Sequence, residues 1–157
     1  MLNHNIHAAI ATLGPIGKLP APGTMGSLVA LILGGLLIIQ LGHIYLTVIL
    51  FLIIFIGYFS IKAHYEVTGI KDAGEVVIDE VIGQWLPLLV IPYRMENLTE
   101  FLFSLFFAFI LFRFFDISKI GPIKKAESLP GAFGVLADDI LAGISAGVIL
   151  LCLFSIQ

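Results

Sequence analysis

Charge is what this sequence has least of. Only 12% of its 157 residues are Asp, Glu, Lys or Arg, about half the share of an ordinary soluble domain, while 59% are hydrophobic and the mean hydropathy is +1.09. That scarcity excludes a water-soluble globular domain and makes the chain a membrane protein. Cysteine is nearly missing too: the single Cys152 lies in the last apolar run, so disulfide, CxxC and cysteine-zinc chemistry are all excluded. A basic segment leading into a clean apolar core is absent from Met1 to Ala11, so no cleavable signal peptide is expected. The net charge of −3 says little about partners, because in a membrane protein the placement of Lys and Arg matters more than their sum. No nucleic-acid partner is expected.

What is present is a series of apolar runs. The length leaves room for about four to five spans with short connections, which predicts an all-α, polytopic helical bundle forming one membrane-embedded domain over residues 1–157. The terminus around His7 is expected to be frayed. From Ala11 to Ser27 the density of Pro and Gly predicts a structured loop ending near Gly23, with Thr24 as the N-cap of the first span, Met25 to Leu41. A glycine-rich loop feeding a helix N-terminus suits phosphate, and small residues suit close helix packing; both readings stay open for this loop alone. A short polar turn, Gln40 to His43, separates a second span, Ile44 to Ile61, and a polar loop follows from Ala63 to Gly74. The third run, Val81 to Ile91, is about half the usual length. It crosses only if its helix starts near Glu75, which places Asp79 and Glu80 at headgroup depth. Leu98 to Phe115 is the fourth span, and the fifth runs from about Asp138 to Ile156 with its acids in the first turn.

The few charges are not scattered. Asp79-Glu80 and Asp138-Asp139 each open an apolar run, and Arg113 with Asp116 closes another. An ionised Asp near the centre of a membrane helix costs about 2.5–3.5 kcal/mol, and a neighbouring like charge adds to the cost unless a cation intervenes. The outer turns hold only Arg94, whereas Lys18, Lys62, Lys71, Arg113, Lys119, Lys124 and Lys125 collect on the other side. The positive-inside rule then puts the N-terminus and every acid pair on the cytoplasmic face. Carboxylates without thiols or paired His suit a hard divalent cation, above all Mg2+, while Arg113, Lys119 and the amides around Thr24 suit phosphate oxygens. The combination predicts chemistry on a phosphorylated lipid headgroup. A cation or proton transporter and a lipid phosphotransferase are the rival readings.

Four blocks carry a resemblance: Pro22-Gly23-Thr24-Met25-Gly26-Ser27, Val77-Ile78-Asp79-Glu80-Val81-Ile82-Gly83-Gln84-Trp85, Phe112-Arg113-Phe114-Phe115-Asp116-Ile117-Ser118-Lys119, and Asp138-Asp139-Ile140-Leu141-Ala142-Gly143. In this order, across nearly the whole chain, they resemble the bacterial phosphatidylglycerophosphatase A family. The family usually has Lys-Pro-x-Pro-Ile where Lys119 is here followed by Ile120-Gly121-Pro122-Ile123. The resemblance implies a Mg2+-dependent inner-membrane enzyme that hydrolyses the terminal phosphomonoester of phosphatidylglycerophosphate to phosphatidylglycerol and phosphate, in phosphatidylglycerol biosynthesis. By position it implies Asp79, Glu80, Asp138 and Asp139 as metal-binding or water-activating residues with Asp116 as a fifth catalytic acid. Arg113 and Lys119 would contact phosphate, and Thr24 and Ser27 would supply hydroxyls or cap the loop. The nucleophile stays open between water and an aspartate, as does assembly into a homo-oligomer; membrane lipids are the other expected partners.

Overall fold

The computed structural model describes residues 2–92 and 97–155, so Arg94 lies outside the described residues. Among the described residues all regular structure is helical, as composition predicts: α1 (Leu2–Ala11), a 3-10 turn (Ile16–Lys18), α2 (Pro22–Leu41), α3 (His43–Thr68), α4 (Ile78–Leu88), α5 (Leu98–Ser118), α6 (Pro122–Glu127) and α7 (Gly131–Phe154). Helices α2, α3, α5 and α7, with 20, 26, 21 and 24 residues, are long and apolar enough to cross a membrane. Their outward faces carry Phe51, Phe55, Phe103 and Phe106, each more than half exposed, which is how a lipid-facing surface is built.

Helix α4 is the axis of the bundle. It has only 11 residues, yet nine of them are buried, because α2 and α7 flank it in the same direction. On the α2 side Gly26 packs against Val77, the Trp85 indole donates to the Ala30 carbonyl (2.7 Å), and Gly34 lies under Trp85 and Leu88. Beyond the helix, His43 Nε2 donates to the Ile91 carbonyl (2.9 Å), so the segment from Ile78 to Ile91 runs alongside the whole of α2. On the α7 side Gly83 meets the Asp139 carbonyl, Gly143 meets Gly83, and Gly147 meets Pro87. Small residues four apart on both flanking helices let the backbones approach closely, the means by which helices associate where lipid removes the usual hydrophobic drive. Helix α5 runs the opposite way, with Leu105 beside Gly35 and Phe112 beside Gly83. Its Arg113–Ser118 end therefore arrives where α2 and α4 begin.

Several boundaries differ from those the sequence predicts. The N-terminus is not frayed around His7, since α1 packs on α3 and His7 Nδ1 lies 3.2 Å from Ser60 Oγ. Thr24 is not an N-cap: α2 starts at Pro22, a residue suited to the first helical position, after Ala21 in the left-handed region (φ 51°). The polar turn at Gln40–His43 shrinks to Gly42 (φ 85°), and α3 continues past Ile61 to Thr68 because Lys62 and Glu66 pair one turn apart (3.8 Å) while His64 packs inward against Glu75 (3.2 Å). Helix α4 begins at Ile78 rather than near Glu75. Helix α7 begins at Gly131, seven residues before Asp138, so Asp138 and Asp139 lie about two turns inside it and not in the first turn. Ala132, Val135 and Leu136 are buried there, and that burial extends the helix ahead of the acids.

Candidate active site

The close packing just described gathers the scattered polar residues at one end of the bundle. Asp79 and Glu80 stand in the first turn of α4, and Asp139 on α7 reaches the same point because Gly83 and Gly143 hold the two helices together. One carboxylate oxygen from each of Asp79, Glu80 and Asp139 lies within 4.8 Å of the others. Asp79 and Asp139 are almost fully buried, and Glu80 Oε2 is buried without a hydrogen-bond partner among the described residues. Three carboxylates so placed repel one another strongly unless a cation joins them. Among the described residues the donor set is all oxygen, with no nitrogen or sulfur. That fits a hard divalent ion such as Mg2+.

A cationic half sits beside it on α5 and its C-cap. Arg113 Nη1 bonds Asp116 Oδ2 (2.6 Å), and Lys119 Nζ bonds Asp116 Oδ1 (3.2 Å) and Asp138 Oδ2. Residues 113, 116 and 119 are three apart, so one helix face presents Arg, Asp and Lys together, and the buried Asp116 holds both cations in place. Asp116 also faces Asp139, which joins the two halves. The first turns of α2 complete the enclosure. Arg113 donates to Ser27 Oγ (3.2 Å) and Thr24 Oγ1 (3.4 Å). Gly23 is packed so tightly that a Cβ there would collide with Glu80 Oε1 and sit 3.4 Å from Arg113 Nη1. Burial of Lys119 alone would lower its pKa, but the bond to Asp138 and the charges of Asp139, Asp138 and Asp116 outweigh it and raise the ammonium above the usual lysine range. It is a fixed positive charge.

All nine residues that the sequence marks as site candidates thus fall at one end of the molecule. They divide unevenly. Asp79, Glu80 and Asp139 form the acidic group, whereas Asp138, also an expected metal ligand, turns to Lys119 instead. The sequence marks Gly23 only as the end of a loop and a member of the first block; its contact with Glu80 depends on how α2 and α4 pack and leaves no mark in the sequence. Trp85 packs on α2, and Gln84, from the same block, is buried beside it.

The family of phosphatidylglycerophosphatase A matches residues 9–154 of the chain. The chain belongs to the phosphatidylglycerophosphatase A family. A Haemophilus influenzae protein named phosphatidylglycerophosphatase A is 34% identical over all of this chain and 98% of its own length. Its Escherichia coli namesake is 35% identical over 82% of this chain and 72% of its own. A Bacteroides thetaiotaomicron protein, described provisionally as a phosphatidylinositol-3-phosphatase, is 34% identical over 83% of this chain and 81% of its own. No solved structure matches. Family membership makes the chain a lipid phosphatase, a phosphoric monoester hydrolase, and the transporter and phosphotransferase readings give way.

Proposed function

We propose that the protein hydrolyses the terminal phosphomonoester of phosphatidylglycerophosphate to phosphatidylglycerol and inorganic phosphate. The reaction depends on Mg2+ and serves glycerophospholipid biosynthesis at the cytoplasmic face of the bacterial inner membrane. One observation carries this reading: an all-carboxylate cluster adjoins an Arg–Asp–Lys face and a helix N-terminus at the same end of a membrane bundle. That end also bears Lys18, Lys62, Lys71, Lys124 and Lys125, the pattern of a cytoplasmic surface.

Asp79, Glu80 and Asp139 would hold the ion, which when bound supplies charge neutralisation and polarises the phosphate. Arg113 and Lys119 bind the phosphoryl oxygens, Arg113 through its planar fork, with Thr24 and Ser27 steering that fork and Asp116 anchoring both cations. Asp138 keeps Lys119 aimed inward. Water is the nucleophile: its oxygen bonds to phosphorus, the ester bond to glycerol breaks, and the glycerol oxygen gains a proton. Glu80 would hold the ion through one carboxylate oxygen; the other, Oε2, with no hydrogen-bond partner among the described residues, accepts the proton that water gives up and returns it to the leaving glycerol oxygen.

The test is phosphate release by purified protein in detergent, with Mg2+ or with chelator, on phosphatidylglycerophosphate, phosphatidic acid and phosphatidylinositol 3-phosphate. The last substrate is included because of the Bacteroides relative's name. Phosphatidylglycerophosphate is expected to be cleaved fastest and chelator to abolish release. Preference for either other lipid would overturn the substrate, and undiminished release in chelator would overturn the metal.

A further inference from the structure

Gln84 is a fully buried polar side chain near the site with no work yet assigned to it. Among the described residues neither its Nε2 nor its Oε1 has a hydrogen-bond partner. A buried amide with both ends unpaired is costly where no water is at hand, so such a group marks a place where something else binds. Its direction follows from its neighbours. Successive helical residues turn by about 100°, Gly83 faces α5 and α7, and Trp85 faces α2, so Gln84 points between them toward the seam of α2 and α5. Arg113 bridges that same seam to Thr24 and Ser27, and its Nε is likewise buried and, among the described residues, unpartnered. Glu80 stands one turn away on the same face of α4, with its own orphan oxygen. Three unsatisfied groups, on Glu80, Arg113 and Gln84, thus border one seam.

We infer that Gln84 is a specificity residue that hydrogen-bonds the free hydroxyl of the glycerol bridging the two phosphates of the substrate. The inference rests on the substrate proposed above. Helix α4 runs from the acidic cluster toward the bilayer interior, so Gln84 lies about 6 Å deeper than Glu80. A lipid anchored by its acyl chains presents its terminal phosphate outermost, and the next polar group inward is the bridging glycerol hydroxyl. A hydroxyl both donates and accepts, as an amide does, whereas the inner phosphodiester is an anion and calls for a cation. Phosphatidic acid has no such hydroxyl. A site built to bond a hydroxyl rejects the analogue lacking it, because its own polar group is then left unpaired.

The experiment crosses two changes. Gln84→Leu is compared with wild type on phosphatidylglycerophosphate and on an analogue whose bridge is propane-1,3-diol, which lacks the hydroxyl. Wild type is expected to cleave the analogue with kcat/KM about 10- to 100-fold lower, and Gln84→Leu to cleave the two substrates alike, at about the wild-type rate on the analogue. Its melting temperature in detergent should equal or exceed that of wild type, since an unpaired buried amide has been replaced by an apolar group of similar size. Equal losses on both substrates, a wild type indifferent to the hydroxyl, or a clearly lower melting temperature would each overturn the inference and show an internal structural role. Gln84→Met replaces the leucine variant if that one fails to fold. Wild-type protein that releases no phosphate from phosphatidylglycerophosphate would instead sink the proposed substrate, a result separable from hydroxyl indifference in an active enzyme.

Discussion

Asp138 and Asp139 are adjacent in sequence and have different surroundings, because neighbouring helical residues point about 100° apart. The sequence marks both as metal ligands; only packing separates them, sending Asp139 to Asp79 and Glu80 and Asp138 to Lys119. An ion bound only by the folded state raises stability by RT ln(1 + [L]/Kd), about 2.7 kcal/mol at a hundredfold excess over Kd. Asp139→Asn should therefore lose most of the Mg2+-dependent rise in melting temperature together with nearly all phosphate release, and should melt no lower than wild type without Mg2+. Asp138→Asn should keep that rise and lose activity through a loosened Lys119. Melting curves in detergent for both variants, with and without Mg2+, decide the matter: an undiminished Mg2+ response in Asp139→Asn removes it from the ligand set. Arg113 is the other residue with a sharp expectation. Its two terminal nitrogens reach Asp116, Ser27 and Thr24 at once, a geometry the single ammonium of lysine cannot reproduce. Arg113→Lys should lower kcat/KM by about 10- to 100-fold; wild-type turnover would reduce Arg113 to a marker of topology.

The long elements were readable because lipid leaves so little choice: a run of about 20 apolar residues without charge has to be a spanning helix. Their ends were not, since helices α3 and α7 extend beyond their apolar runs on contacts that cross between elements, such as His64 with Glu75 and Val135 in the core. Helix α4 was legible as an oddity, too short to cross unaided, but its place between α2 and α7 follows from small residues that look alike in sequence and act differently. A Cβ on Gly143 would collide with the Gly83 carbonyl, a backbone atom unable to yield, whereas one on Gly147 would meet Pro87 Cα at an ordinary 3.6 Å. Gly143→Ala should thus destabilise by about 1–3 kcal/mol, and Gly147→Ala by no more than about 0.5 kcal/mol. Because Gly83 and Gly143 lie one turn from Asp79 and Asp139, the first variant should also lose phosphatase activity while the second keeps it. Equal melting temperatures for the two would show that α4 and α7 are not held by this contact.

At the scale of the molecule, the gathering of all polar candidates at one end follows from the alternation of the apolar runs, and the contacts of Gly23 with Glu80 and of Arg113 with Ser27 place them together independently of any charge count. What the charge count adds is direction. Asp72, in the connection between α3 and α4, and Lys124, on α6, lie at the site end of the bundle; Asn97, the N-cap of α5, lies at the other. A surface rich in lysine is retained in the cytoplasm, so the site should face inward, where a lipid phosphate made in the inner leaflet would meet it. Single cysteines test this, introduced as Asp72→Cys, Lys124→Cys and Asn97→Cys into a Cys152→Ser background, since the native thiol is exposed. A membrane-impermeant maleimide applied to intact spheroplasts should label the Asn97 position alone, and the same reagent on inverted vesicles should label the Asp72 and Lys124 positions. Labelling of Asp72→Cys or Lys124→Cys from outside would turn the bundle over, leaving the geometry of the site intact but placing its substrate in the opposite leaflet.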